Sequence, residues 1–330
     1  MPRRHFLGAL SAAAAGVALG GTGLRAATSA QQTDSRKHGT ATVRGAFLYP
    51  STESLRKEGY YSWPGSGFDA EGHHQRYATE IAAMAKRLGM RIVMSEKPLH
   101  EKAGVPEFIR EIKDRPPDGL LLIPLKKSEW ESVTRIVNET QIPTVAFATL
   151  GILLNPHINQ LYRRPGVYVI SSLDNLDAVE SGMKMIRTAR WMKESRIVSL
   201  TGSAQEEKVV DNLGTQVRTF PRKRFADEFE RTKATDDVRE IARAYATNAR
   251  KIVEPSEADI VDAARTYVAC KRVLAAEEGD AIMMECLGGI RERRFPPPCM
   301  GFMSLRDGGI AAGCQNDLNA TLTMMLLQQL

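Results

Sequence analysis

The side chains best suited to handling a small molecule lie in one polar, aromatic stretch, residues 50–65, PSTESLRKEGYYSWPG. Tyr60 and Trp63 offer flat apolar faces of the kind that cover the C–H face of a sugar ring. Arg56 offers a forked donor for hydroxyls or a carboxylate. A second stretch, residues 299–321, runs through small residues to Gln315, Asn316 and Asp317, which open an apolar helix. A helix start of that kind can hold an anion or a metal-bound oxygen. His73 and His74 are adjacent, so a helix or strand aims them in different directions, and surface positions are expected for both. The four cysteines, Cys270, Cys286, Cys299 and Cys314, show no C-x-x-C spacing, which argues against a zinc or thioredoxin-type motif. Buried free thiols are expected, with one late disulfide as the alternative.

The common catalytic signatures are missing. The chain has no G-x-x-x-x-G-K-[ST] phosphate loop, no G-x-S-x-G elbow and no H-E-x-x-H helix. No G-x-G-x-x-G follows a strand, so no nucleotide cofactor is expected. Kinase, hydrolase and dehydrogenase readings lose their main support.

The elements that must position these residues alternate. Residues 43–49 (VRGAFLY) read as a strand ending at Pro50, which places the 50–65 stretch at a strand's carboxyl end, where ligands of parallel α/β sheets bind. Residues 77–88 read as a helix stopped by Gly89, 90–94 as a strand and 106–113 as a helix. Residues 119–124 (GLLLIP) form a continuous apolar run, the mark of a strand covered on both faces. Residues 128–138 read as a helix capped by Ser128. Strands follow at 142–149 and 167–171.

The pattern then repeats. A long helix is predicted at 175–193, strands at 196–200 and 215–220, and helices at 225–231 and 238–251. A helix at 256–277 is capped by Ser256 with Asp259 at the capping-box position. Strands are predicted at 280–285 and within 298–305, and an apolar helix at 316–330. The order predicts an α/β fold of two doubly wound parallel-sheet domains in tandem after an export signal, spanning 43–173 and 174–330. The terminal helix carries Leu322, Met324, Met325, Leu326 and Leu327 with no polar tail, so the second domain reads as incomplete at its C-terminal end.

Residues 1–30 read as that signal. Arg3 and Arg4 stand before Phe6 and Leu7, an uncharged Ala- and Gly-rich run follows, and Thr28 and Ala30 suit a signal peptidase. The adjacent arginines are the form read by the twin-arginine translocase. Residues 31–42 read as a polar linker. Removing Arg3, Arg4 and Arg25 from a formal net charge of +6 leaves +3. The remaining basic runs, at 222–224 and 291–294, are not interleaved with aromatics, so no nucleic-acid partner is expected. No later stretch is apolar enough for a bilayer, so no stable membrane span is expected after cleavage. The predicted location is periplasmic or extracellular.

The segment from Cys299 to Thr321 resembles the L-fucose/L-arabinose isomerase family, in which an acidic Glu-Asn-Asp-like motif follows small residues and precedes an apolar helix. The two α/β domains look like that family's N-terminal and middle domains. The resemblance implies aldose–ketose isomerase ancestry and possible assembly as a homo-oligomer. It also implies a Mn2+ or other divalent-metal site to which Gln315 and Asp317 correspond. Gln315 stands where the family carries a metal-binding Glu, and an amide can neither take up a proton nor match a carboxylate as a ligand. Activity is therefore in doubt. The alternative is a sugar-binding protein that closes two lobes on its ligand as periplasmic receptors do, with Arg56, Tyr60 and Trp63 at the substrate in either case.

Overall fold

The computed structural model describes residues 38–58, 68–100, 104–149, 159–292 and 294–330, and residues 38–330 make one compact unit. The fold is α/β, built on two five-stranded sheets.

The first sheet has the order β2-β1-β3-β4-β5 and is parallel throughout. Its strands are β1 (Thr42–Leu48), β2 (Arg91–Met94), β3 (Gly119–Pro124), β4 (Thr144–Thr149) and β5 (Val167–Ser172). Helices α1 (Thr52–Glu58), α2 (Ala70–Leu88), α3 (Gly104–Asp114), α4 (Trp130–Thr140) and α5 (Asp177–Glu194) connect and follow them. β3 is buried at every position, as its unbroken apolar run predicted, and so is β4. α3 packs on α4, while α2 meets α5 through Arg87–Glu180 at 2.7 Å. α2 begins at Ala70 because Asp69 accepts the Gly72 N–H at 2.9 Å, and it ends where Gly89 adopts φ 63°. Ser128 caps nothing: residues 127–129 form a 3-10 turn ahead of α4.

The second sheet has the order β10-β9-β6-β8-β7, from strands β6 (Arg196–Leu200), β7 (Glu206–Val209), β8 (Gln216–Phe220), β9 (Ala281–Met284) and β10 (Ala311–Cys314). Only β7 is antiparallel, on the outer edge. The helices are α6 (Lys223–Arg231), α7 (Asp236–Asn248), α8 (Glu257–Ala276), α9 (Leu287–Glu292), α10 (Cys299–Asp307) and α11 (Leu318–Gln329). The expected capping box at Ser256 and Asp259 is present. Strand alternation divides the core cleanly. Val198, Leu200, Ile282, Met284 and Ala312 pack with Phe302 and Leu305 of α10. Ile197, Val217, Ala281, Met283 and Ala311 pack with Met325 of α11 and Met192 of α5.

One sequence expectation here needs correction. Residues 299–307 are a helix rather than a strand, and the strand is Ala311–Cys314. α5 lies on β4 and β5, where Gly182 leaves room for Val145, and also packs on α11 and, through Met192, on the second sheet's core. In the last helix Leu322 and Met325 are buried and Leu327 is exposed.

The two sheets are linked ahead of their amino ends, and α5 packs against both. Ahead of β1, His38 Nε2 lies 2.7 Å from Asp280, which precedes β9 and also accepts the Arg196 N–H at 2.8 Å. Gly39 N–H donates to Glu194 at 2.8 Å. Arg190 reaches Asp118 at 3.1 Å, and Asp118 accepts the Thr42 N–H at 2.7 Å.

Candidate functional site

Two polar edges stand at the carboxyl ends of the strands. In the first sheet the strand order reverses between β1 and β3, the place where open α/β sheets form a ligand crevice. Tyr49, just past β1, is buried, and its hydroxyl lies 2.8 Å from Nδ1 of His74. The His74 ring stacks on Phe47 with centroids 3.9 Å apart. Burial pushes the Tyr49 phenol up to about 12, with the Glu71 and Asp69 charges adding to it. Burial also lowers His74, against a smaller opposing pull from Glu71. The phenol therefore keeps its proton, and the neutral imidazole accepts it at Nδ1, which leaves N–H on Nε2.

The neighbouring loops supply two further groups. Leu99 pairs with Leu48, which brings His100 beside the end of β1. His100 Nδ1 lies 2.9 Å from Glu129, a buried carboxylate after β3. Across β4 and β5, Tyr77 bonds to Asp174 and lies 3.0 Å from the Thr149 hydroxyl, while Arg76 Nη2 donates to both Asp174 oxygens at 2.6 and 2.7 Å. Burial works against the Asp174 charge, but the bonds from Arg76 and Tyr77 outweigh it and hold this carboxyl below the usual range. Asp174 has φ 58°, a left-handed turn pinned by its N–H on Thr149 at 3.1 Å.

In the second sheet, Glu285 follows β9 and pairs with Arg222, which follows β8. The Gly288 N–H at 3.0 Å is the main influence lowering Glu285; burial opposes it and Arg222 assists. After β10, Gln315 and Asn316 are consecutive left-handed residues, φ 53° and 58°. Two such non-glycine residues in a row are uncommon, and they turn the chain sharply into α11. Gln315 Nε2 donates to Cys286 Sγ at 3.0 Å, and Asn316 Oδ1 accepts from Ser199 at 2.8 Å.

Arg56 is exposed in the last turn of α1, at the carboxyl end of β1 as expected. Tyr60 and Trp63 lie outside the described residues. The surface expectation for His73 and His74 gives way to two half-buried rings, because the helix begins about two turns earlier than the apolar periodicity suggests and sets His73 against Phe68 and His74 against Phe47. Gln315 and Asp317 do not form a metal pair. Asp317 accepts the Ala320 N–H at 2.9 Å and caps α11, and the Gln315 amide is turned to sulfur. Among the described residues no three His, Cys, Asp or Glu side chains converge on a point suited to a cation. Gln315 stands at the carboxyl end of its strand, away from the His38–Asp280 link at the amino ends. The thiols divide, Cys270 and Cys286 buried, Cys299 and Cys314 exposed, so the expectation of four buried thiols holds for two.

Sequence reasoning missed Glu129, His100, Asp174 and Glu285. Glu285 had a readable signal, a lone acid directly after an apolar strand. The others come together only through the crossing of loops.

The class these features define is a two-lobe, doubly wound α/β protein with polar groups gathered at strand carboxyl ends. No protein-family model matches the chain, and no curated protein matches it.

Proposed function

We propose that this chain is an exported protein of sugar-isomerase-like ancestry that binds a small polyhydroxylated ligand without isomerising it. The observation that carries the reading is the set of polar groups at the carboxyl ends of β1 and β3, where the strand order reverses. There the Tyr49–His74 pair, the His100–Glu129 pair and the α1 helix with Arg56 surround the strand ends with oriented donors and acceptors. Such fixed polar groups beside a buried apolar floor suit sugar hydroxyls. Against turnover stands the second edge. Asp317 is committed to its own helix, and Gln315 cannot carry a proton in an ene-diol mechanism. The receptor geometry, two lobes closing with both carboxyl edges on one ligand, gains no support from a junction made at the amino ends.

In the basic runs, Arg222 pairs with Glu285, Lys223 with Asp227, Arg224 with Glu277, and Arg294 with Glu230. Among the described residues no helix is long and apolar enough to cross a membrane.

The test is calorimetric titration of the full chain with a panel of aldoses, ketoses and sugar acids, in chelator and again with MnCl2. Binding of at least one of them is expected to survive chelator and to weaken at least tenfold in His74→Ala. The Gln315→Glu variant is expected to gain no manganese affinity, because Asp317 remains on its cap. Manganese-dependent appearance of a ketose from an aldose would overturn the non-catalytic reading, and no heat with any sugar would overturn the binding reading.

A further inference from the structure

Three of the four thiols, from three separate elements, come to one end and one face of the second sheet. α10 and β10 form a helix–turn–strand unit closed by the Ile310 N–H on Leu305 at 2.8 Å and by Arg306 Nε on the Ala312 carbonyl at 2.8 Å. The helix rises about 13 Å over its nine residues and the strand returns about 13 Å over its four. Cys299, the first residue of α10, and Cys314, the last of β10, therefore stand at the same end.

They also share a face. Ala312 points into the core that holds Phe302 and Leu305 of α10, and Cys314 is two residues further on, so alternation turns it to the same side. Cys314 pairs with Met284, whose own side chain lies in that core, as does Cys286. Cys286 feels both neighbours: burial raises its thiol most, and the Cys314 and Cys299 charges add to it. Cys286 is buried and accepts the Gln315 amide, whereas Cys299 and Cys314 are exposed.

We propose that Cys299 and Cys314 are a redox-active pair that closes to a disulfide by exchange with a small-molecule disulfide of the glutathione class. The Cys299 thiolate attacks one sulfur of the oxidant, forming a mixed disulfide and releasing one reduced thiol. The Cys314 thiolate then attacks Cys299 Sγ and expels the second. Two protein thiols are oxidised, one disulfide is reduced to two thiols, and two protons pass between them. Either exposed cysteine can be the first attacker with the same product. Closure ties the start of α10 to the end of β10, directly beside the left-handed Gln315–Asn316 turn, and so fixes that carboxyl edge. The proposal rests on this geometry and not on the sugar-binding reading.

The test uses the full reduced chain incubated with oxidised glutathione. Free thiols are then counted with a chromogenic disulfide after unfolding in acid. The expected count falls from four to two. Trypsin places every cysteine on a different peptide, with Cys286 before Arg291, Cys299 between Arg294 and Arg306, and Cys314 after Arg306. The expected map joins the last two. Cys299→Ser and Cys314→Ser are each expected to stop at a glutathione adduct on the remaining exposed thiol. Four thiols still free, a bridge to Cys286, or separate adducts on Cys299 and Cys314 in the natural protein would each overturn the pairing. The wild-type count and map decide the matter even where a serine variant fails to fold.

Discussion

His74 shows what a single side chain contributes at this site. Its ring lies on Phe47, its Nδ1 accepts from Tyr49, and burial lowers its affinity for a proton. A histidine whose folded value is depressed binds fewer protons folded than unfolded. Its neutral form is favoured by folding, so stability is full above the unfolded value near 6.5 and is lost as pH falls through it. The urea midpoint is therefore expected to drop between pH 7 and pH 5. In His74→Gln, which keeps a polar group but cannot titrate, that part of the drop should vanish. An identical slope in both proteins would mean that His74 does not titrate differently in the folded state. Nothing in the adjacent pair His73-His74 announces this role. The pair is legible as two divergent side chains, but what each ring meets depends on where α2 starts, and Asp69 decides that.

At the level of elements, the first sheet was readable and the second only in part, for a physical reason. Strands buried on both faces leave unbroken apolar runs such as residues 119–124, and a single sequence shows them. β7 is exposed at all four positions and reads EEKV, so it carries no apolar alternation and was missed. β10 is Ala-Ala-Gly-Cys, with side chains too small to signal a strand, and the apolar Phe302 and Leu305 of α10 drew the strand assignment upstream. The small residues serve packing. At Gly301 an added Cβ would lie 2.8 Å from the backbone nitrogen of Tyr267 in α8. Backbone in a packed helix cannot yield as a flexible side chain does. Gly301→Ala is thus expected to cost about 1–3 kcal/mol, even though alanine is the better helix former. Chemical denaturation measures it, and a stabilised variant would show that α8 and α10 are not in such close contact.

For the whole molecule, the junction and the N-terminal segment bear on how the protein reaches its place of work. His38, the first described residue, is anchored on Asp280, and Gly39 on Glu194. A body whose two sheets are tied at their amino ends by residues far apart in sequence has to be folded before those ties exist, and the twin-arginine route carries folded proteins. That route reads the arginine pair itself rather than its charge, since the planar guanidinium is not replaced by an ammonium of equal charge. Replacing both Arg3 and Arg4 by Lys keeps the net charge of the segment. It is nevertheless expected to leave the uncleaved chain in the cytoplasm, whereas the natural chain is recovered outside with Gln31 as its first residue. Cell fractionation with N-terminal sequencing reads both results. Export of the double-lysine variant at the natural level would exclude this route, and an exported chain that still begins at Met1 would exclude cleavage.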